Sequence, residues 1–173
     1  MALPIVGSAH EKPSGDGFTW FIYGSSLSRA AFQTWAERHQ YSLPDFSQAI
    51  PARLAGYRLS FDIPSGFWGG AVASLTPAPG QAVEGIALPL PGTARVLADH
   101  KEGALSGLYE PFAVTVASLA GGALIEALAY RSNPARRLAS EATASPAFLE
   151  ALRDGAREWG LSAAYQEELS RIA

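Results

Sequence analysis

The sequence predicts an α+β fold in which a small mixed β-sheet is closed, or strongly curled, into a barrel-like core with flanking helices. Segments rich in β-branched and aromatic residues, separated by Gly and Pro, fill the middle of the 173-residue chain. Helical spacing appears only after the first strand and near the end, which favours α+β. A sheet with that many strands must curl or close, because its edges would otherwise be exposed.

The chain begins with a segment that we do not expect to fold. Residues 1–17 are rich in Gly, Pro, Ser and charged residues, a composition typical of a flexible N-terminal tail. We therefore place one domain at residues 18–173, a length that supports a hydrophobic core without disulfides.

The first strand and the first helix follow directly. Residues 18–23 are mostly aromatic or β-branched and predict a strand that Gly24 ends. Ser28 is placed to cap a helix that continues to about His39. The residues expected on one face of this helix are Leu27, Ala31 and Trp35.

A hairpin is predicted in the middle of the chain. Alternation predicts a strand over residues 52–61, and a second strand over 68–75 is entered through glycines. A Pro-Gly turn at 77–80 leads into a strand over 83–90, which we expect to pair with the preceding one. Glu84 alternates with apolar residues of that strand, so we expect its side chain to point outward.

Another helix and another hairpin follow. Thr93 is placed to cap a short helix that continues through Asp99. Strands at 109–119 and 123–131 then flank a two-glycine turn at 121–122, which predicts a second hairpin.

The C-terminal part changes to helical spacing. Ser145 and Pro146 are typical of a helix start, and Gly160 is typical of a helix end. A last helix is predicted from about Ser162 to Ile172. The apolar residues that recur at helical spacing in the first of these helices are Phe148, Leu149, Leu152, Ala156 and Trp159.

Composition excludes several classes of function. The net charge of −3 gives no reason to expect nucleic acid or an anionic membrane as a partner. Without cysteine the chain has no disulfide and no thiolate, and its three histidines lack metal-ligand spacing, so we expect no metal. Its longest apolar stretch is too short to span a bilayer. We expect a soluble cytoplasmic protein that is a monomer or a homodimer.

The turn after the first strand is one candidate binding site. Tyr23, Gly24, Ser25, Ser26 and Leu27 form a strand that breaks into a glycine turn before a helix. Backbone N–H groups in such a turn are left unpaired and bind anions such as a carboxylate or an oxyanion. The same residues also fit an ordinary strand-to-helix turn with a Ser cap.

Glu102 is the candidate for acid–base chemistry. It precedes Gly103 and lies between a predicted helix and a predicted strand, among apolar residues. Partial removal from water would raise the pKa of its carboxyl group and favour general-base work. A solvated Glu at a helix end explains the same sequence.

Short motifs follow one another in a defined order along residues 18–173. They are Tyr23-Gly24-Ser25, Ala52-Arg53-Leu54, Trp68-Gly69-Gly70, Val83-Glu84-Gly85, Glu102-Gly103 with Tyr109, Ala129-Tyr130, and the segment from Gly160 to Gln166. No single motif is diagnostic, but the ordered set resembles the gamma-glutamyl cyclotransferase family, AIG2-like proteins included.

The resemblance implies a barrel-like core wrapped by helices. It also implies an enzyme that acts on a small-molecule γ-glutamyl substrate and needs no cofactor. It implies that Glu102 is the catalytic acid and base and that the loop at 23–27 holds the γ-glutamyl head. Tyr109 and Tyr130 match positions that lie near the pocket in the family. The implied reaction, linked to glutathione metabolism, is attack of the substrate's α-amine on its own γ-carbonyl, which releases 5-oxoproline and an amine.

The chain also departs from the family pattern. Ser26 stands where the family commonly has Asn, and Phe148 stands where related enzymes can have Tyr. The segment between Leu27 and Ala52 is longer than usual. These departures leave two alternatives: a module that binds γ-glutamyl or other small carboxylates without turnover, and a cyclotransferase that removes a γ-glutamyl group from a metabolite.

Overall fold

The computed structural model describes residues 16–173, whose strands form a closed β-barrel. Around the barrel the strand order is β1-β3-β2-β4-β5, and β1 pairs in parallel with β5 while the other pairs are antiparallel. The prediction of a closed, mixed, barrel-like sheet is therefore confirmed. The strands are β1 (Phe18–Ile22), β2 (Ile50–Ser65), β3 (Gly70–Leu90), β4 (Tyr109–Ser118) and β5 (Leu124–Ser132).

Helices flank the barrel, as predicted. Each of three helices begins at a serine whose hydroxyl accepts a hydrogen bond from a backbone N–H in the first turn, namely Ser28, Ser145 and Ser162. The helix bounds are α1 (Arg29–Arg38), α2 (Arg95–Lys101), α3 (Pro146–Glu158) and α4 (Ala163–Ser170). None of the helices in the described part of the chain is long and apolar enough to cross a membrane. The first 15 residues of the predicted tail at 1–17 lie outside that part, so the tail remains a prediction.

The central hairpin was predicted wrongly. Residues 70–90 form the single long strand β3, and β2 pairs with both of its halves. The Pro-Gly segment produces a bulge rather than a reversal, because Pro77 pairs with Tyr57 and Ala82 pairs with Ala55. Residues 78–81 therefore bulge opposite Gly56, where a φ of +82° requires glycine. The second predicted hairpin, formed by β4 and β5, is confirmed.

The start of α2 also differs from the prediction. A 3₁₀ turn at Gly92–Ala94 precedes the helix, and no side chain caps it, so Thr93 is not its N-cap. The helix continues past Asp99 to Lys101, which leaves Glu102 at its C-terminal end.

Glu84 does not face solvent, contrary to the expectation for an outward-pointing strand residue. Its side chain is buried, and its carboxylate accepts hydrogen bonds from the backbone N–H of Ser162 at 2.8 Å and from the Ser162 hydroxyl at 2.7 Å. These bonds fix the start of α4 against β3. Alternation predicts exposure only where one face of a strand is open to solvent, and residues 83–88 of β3 are all buried.

Candidate active site

A cavity of about 350 Å³ opens at the end of β1. Its walls come from the 3₁₀ turn Ser25–Leu27, the C-terminal end of α2 and the turn between β2 and β3. Six of the predicted site residues line it: Tyr23, Gly24, Ser25, Ser26, Glu102 and Tyr109. Two others, Leu27 and Tyr130, are fully buried and are not part of its lining.

Glu102 is placed by the end of α2. Its backbone N–H donates to the Ala98 carbonyl at 3.0 Å, and Gly103 then leaves the helix with a φ of +72°. The side chain is half-buried. Burial raises the pKa of its carboxyl group to about 7, although the positive charge of Lys101 opposes part of this effect. Glu102 can therefore exchange a proton near neutral pH.

The glycine loop presents backbone donors to the same cavity. The N–H of Leu27 is already used, because it donates to the Gly24 carbonyl at 3.1 Å. The N–H groups of Ser25 and Ser26 begin the 3₁₀ turn and so have no acceptor within it. Those two groups, rather than that of Leu27, are available to an anion.

Helix α3 holds this loop in place. The indole Nε1 of Trp159 donates to the Leu27 carbonyl at 2.9 Å. Gly155 lies so close that a Cβ added there would meet the Cβ of Leu27 at 2.4 Å. Phe148, from the same helix, adds an apolar ring to the cavity wall, and a Cβ added at Gly24 would meet that ring at 3.6 Å.

The predicted tyrosines have structural partners. Tyr23 donates its hydroxyl to the Tyr130 carbonyl, and Tyr130 donates its own hydroxyl to Asp99 Oδ1 at 2.6 Å. Asp99 also accepts from Arg95 Nε at 2.9 Å. Tyr130 therefore ties α2, which carries Glu102, to the barrel without contributing to the cavity lining.

Tyr109 lies at the cavity wall and donates its hydroxyl to the Ala73 carbonyl at 2.7 Å. Burial and then the negative charges of Glu102 and Asp62 raise its pKa well above the usual value. The phenol stays protonated at neutral pH and serves as a fixed polar wall beside Glu102.

Several cavity residues were not predicted. They include Trp35 from α1 and His39 at its C-terminal end, Phe67 and Trp68 from the turn between β2 and β3, and Lys101 beside Glu102. Lys101 could have been predicted as a cavity residue only because it is next to Glu102 in the sequence. Nothing in the sequence around the aromatic residues indicates that they line the cavity. In the described residues, 16–173, no three His, Asp or Glu side chains group closely enough to hold a metal ion.

Comparisons with known proteins agree with one another. A family model described as the AIG2-like family matches residues 82–169. The gamma-glutamylcyclotransferase of Bos taurus is 30% identical over 166 residues, covering 91% of this chain and 80% of the bovine protein. The gamma-glutamylcyclotransferase of Homo sapiens is 30% identical over 164 residues, covering 92% of this chain and 81% of the human protein.

Solved structures show the same likeness. A structure described as a gamma-glutamyl cyclotransferase superimposes with a TM-score of 0.75 at 27% sequence identity. The match covers 91% of this chain and 88% of that one. The similarity thus extends over the barrel and the helices that build the cavity.

Proposed function

This chain belongs to the gamma-glutamylcyclotransferase family of AIG2-like proteins, and from that premise we propose that Glu102 is its catalytic acid and base. The substrate is a γ-glutamyl amide, and the products are 5-oxoproline and a free amine. The observation that carries the proposal is the half-buried carboxylate of Glu102, which lines the same cavity as the glycine loop. Its pKa of about 7 suits a group that must both accept and donate a proton at neutral pH.

The reaction begins at the α-ammonium group of the substrate. Glu102 accepts a proton from that group, and the resulting amine attacks the γ-carbonyl carbon to close a five-membered ring. The protein's main task is to hold the substrate folded on itself, since intramolecular closure makes correct positioning highly effective.

The glycine loop then supplies electrostatic stabilisation. The N–H groups of Ser25 and Ser26 are placed to bind the α-carboxylate or the oxygen that becomes negative during attack. As the amide C–N bond breaks, Glu102 donates its proton to the leaving nitrogen. The ring nitrogen loses its second proton to the Glu102 carboxylate that this step frees, and the released amine then takes up that proton from Glu102 or from water. Both protons that leave the α-ammonium group are thereby transferred, and Glu102 returns to its ionised form.

A panel of γ-glutamyl amides, assayed by mass spectrometry for 5-oxoproline, tests the proposal. We expect the wild type to release 5-oxoproline and Glu102→Gln to release it at least about 100-fold more slowly, because the amide side chain cannot take a proton. Glu150→Gln, at an exposed position outside the cavity, is the matched control and should retain wild-type activity. Wild-type turnover by Glu102→Gln would refute the role of Glu102, and binding without turnover by the wild type would favour a module that only holds the ligand.

A further inference from the structure

Lys101 is an unusual feature of the cavity wall. Among the described residues that line the cavity, Lys101 is the one Lys or Arg, and Glu102 is the one carboxylate. The Lys101 side chain is half-buried. Within residues 16–173, no carboxylate oxygen lies within 4.0 Å of its ammonium nitrogen. A half-buried ammonium group at a cavity wall, without a carboxylate in contact, can pair with an anion that enters the cavity.

The ammonium group of Lys101 is held in a defined place. Its nitrogen lies 5.5 Å from the ring centre of Trp35 and 5.7 Å from that of Phe32. Both distances are within the range of cation–π attraction, which orients a lysine without neutralising its charge. Burial lowers the pKa of Lys101, and an anion beside it would offset that effect.

The ring of Trp35 is itself fixed by its neighbours. His39 stacks on it with ring centres 4.5 Å apart, and Tyr41 stacks on it at 5.5 Å. Tyr41 in turn makes a hydrogen bond of 3.1 Å to Nδ1 of His100, the residue before Lys101. Helices α1 and α2 therefore position the Lys101 ammonium together, as part of the cavity rather than as a mobile surface group.

The charges of the cavity match those of one kind of substrate. When Glu102 faces the α-ammonium and the glycine loop takes the α-carboxylate, the γ-glutamyl head offers no further negative charge to Lys101. We propose that Lys101 is a specificity-determining residue that binds a carboxylate on the leaving amine. This inference rests on the proposed function. Lys101 would then raise the kcat/KM for γ-glutamyl conjugates whose leaving amine carries a carboxylate, relative to conjugates of simple amines.

Two substrates that differ by one carboxylate test the inference. γ-Glutamyl-alanine and γ-glutamyl-ethylamide share the scissile amide, and only the first has a carboxylate on the leaving side. We expect Lys101→Met to lower kcat/KM for γ-glutamyl-alanine by about 10- to 100-fold, mainly through KM, because a charge-assisted hydrogen bond is lost. The value for γ-glutamyl-ethylamide should change by less than about threefold. Lys101→Arg should retain most of the wild-type kcat/KM for γ-glutamyl-alanine. If Lys101 instead acted by changing the pKa of Glu102, Lys101→Met would shift the pH profile equally for both substrates.

Arg171→Met removes the same charge at an exposed helix end outside the cavity and is the matched control. An equal effect of Lys101→Met on both substrates, or no effect on either, would overturn the inference. If Lys101→Met does not fold, Lys101→Gln takes its place.

Binding separates this inference from the proposed function. Calorimetry of Glu102→Gln and of the double variant Glu102→Gln/Lys101→Met measures affinity for both substrates without turnover. We expect the double variant to bind γ-glutamyl-alanine at least about tenfold more weakly and γ-glutamyl-ethylamide with unchanged affinity. A wild type that releases no 5-oxoproline would refute the proposed function alone, whereas equal affinities of the two variants for γ-glutamyl-alanine would refute the role of Lys101.

Discussion

Replacing Glu102 with Gln should stabilise the folded protein at pH 8 and affect its stability much less at pH 5. The ionised carboxylate is half-buried in the cavity, and burial is what raises its pKa. The free energy of unfolding therefore contains a penalty for holding that charge away from water. Gln has nearly the same shape and carries no charge at any pH, so the exchange removes the penalty.

The magnitude follows from the pKa of Glu102. Folding moves this pKa from its ordinary value of 4.5 to about 7, and each pKa unit corresponds to about 1.4 kcal/mol. The folded state binds the proton more tightly than the unfolded state, so the free energy of unfolding falls as the pH rises from about 4.5 to about 7. Above pH 7 the penalty is complete, at about 3 kcal/mol as an upper limit, and at pH 5 it is below about 1 kcal/mol.

Urea denaturation of both proteins at pH 8 and pH 5 measures the effect. We expect Glu102→Gln to unfold at higher urea than the wild type at pH 8 and to differ little at pH 5, with an unchanged slope m. Glu150→Gln controls for the loss of one exposed negative charge and should match the wild type at both pH values. A variant that is no more stable than the wild type at pH 8 would mean that the Glu102 carboxylate is well solvated, and the reasoning would fail.

Three further substitutions test how the site is supported. Gly155→Ala should destabilise the fold by about 1–3 kcal/mol and lower kcat/KM, because the new Cβ would lie 2.4 Å from the Cβ of Leu27. Urea denaturation at the wild-type midpoint would contradict this packing. Glu84→Gln should cost about 1 kcal/mol of unfolding free energy by weakening its two bonds to Ser162 while leaving kcat unchanged, and a change in kcat without a change in stability would contradict it. Tyr130→Phe should lower the free energy of unfolding by about 1 kcal/mol and reduce kcat/KM severalfold, because α2 loses the hydrogen bond from Tyr130 to Asp99. Full activity in a steady-state assay would show that this bond does not position the site.

Local signals located the two chain segments that line the cavity. Gly24 and Gly103 indicated where the first strand and α2 end, because the chain changes direction at both places within a few residues. Glu102 and the residues from Tyr23 to Ser26 line one cavity, and their catalytic and binding roles stay predictions. Serine caps at Ser28 and Ser145 similarly located the starts of two helices.

The parts that were missed depend on partners far away in the chain. A Pro-Gly segment is compatible with a turn or with a bulge. It forms a bulge here because β2 pairs with both halves of β3, which keeps β3 a single strand. Glu84 is buried because Ser162, 78 positions later, supplies its hydrogen-bond donors. Lys101 faces an aromatic wall only because α1 packs beside α2, and neither helix pattern indicates that contact.

The pH dependence of kcat/KM for 5-oxoproline release tests the central claim most directly. If Glu102 is the base, activity should rise with pH through an ionisation near 7, the value to which burial raises its pKa, and this acid limb should be absent from the residual activity of Glu102→Gln. An acid limb near 4.5, the ordinary value for a solvated Glu, or an unchanged profile in Glu102→Gln, would contradict the assignment of Glu102 as the catalytic base.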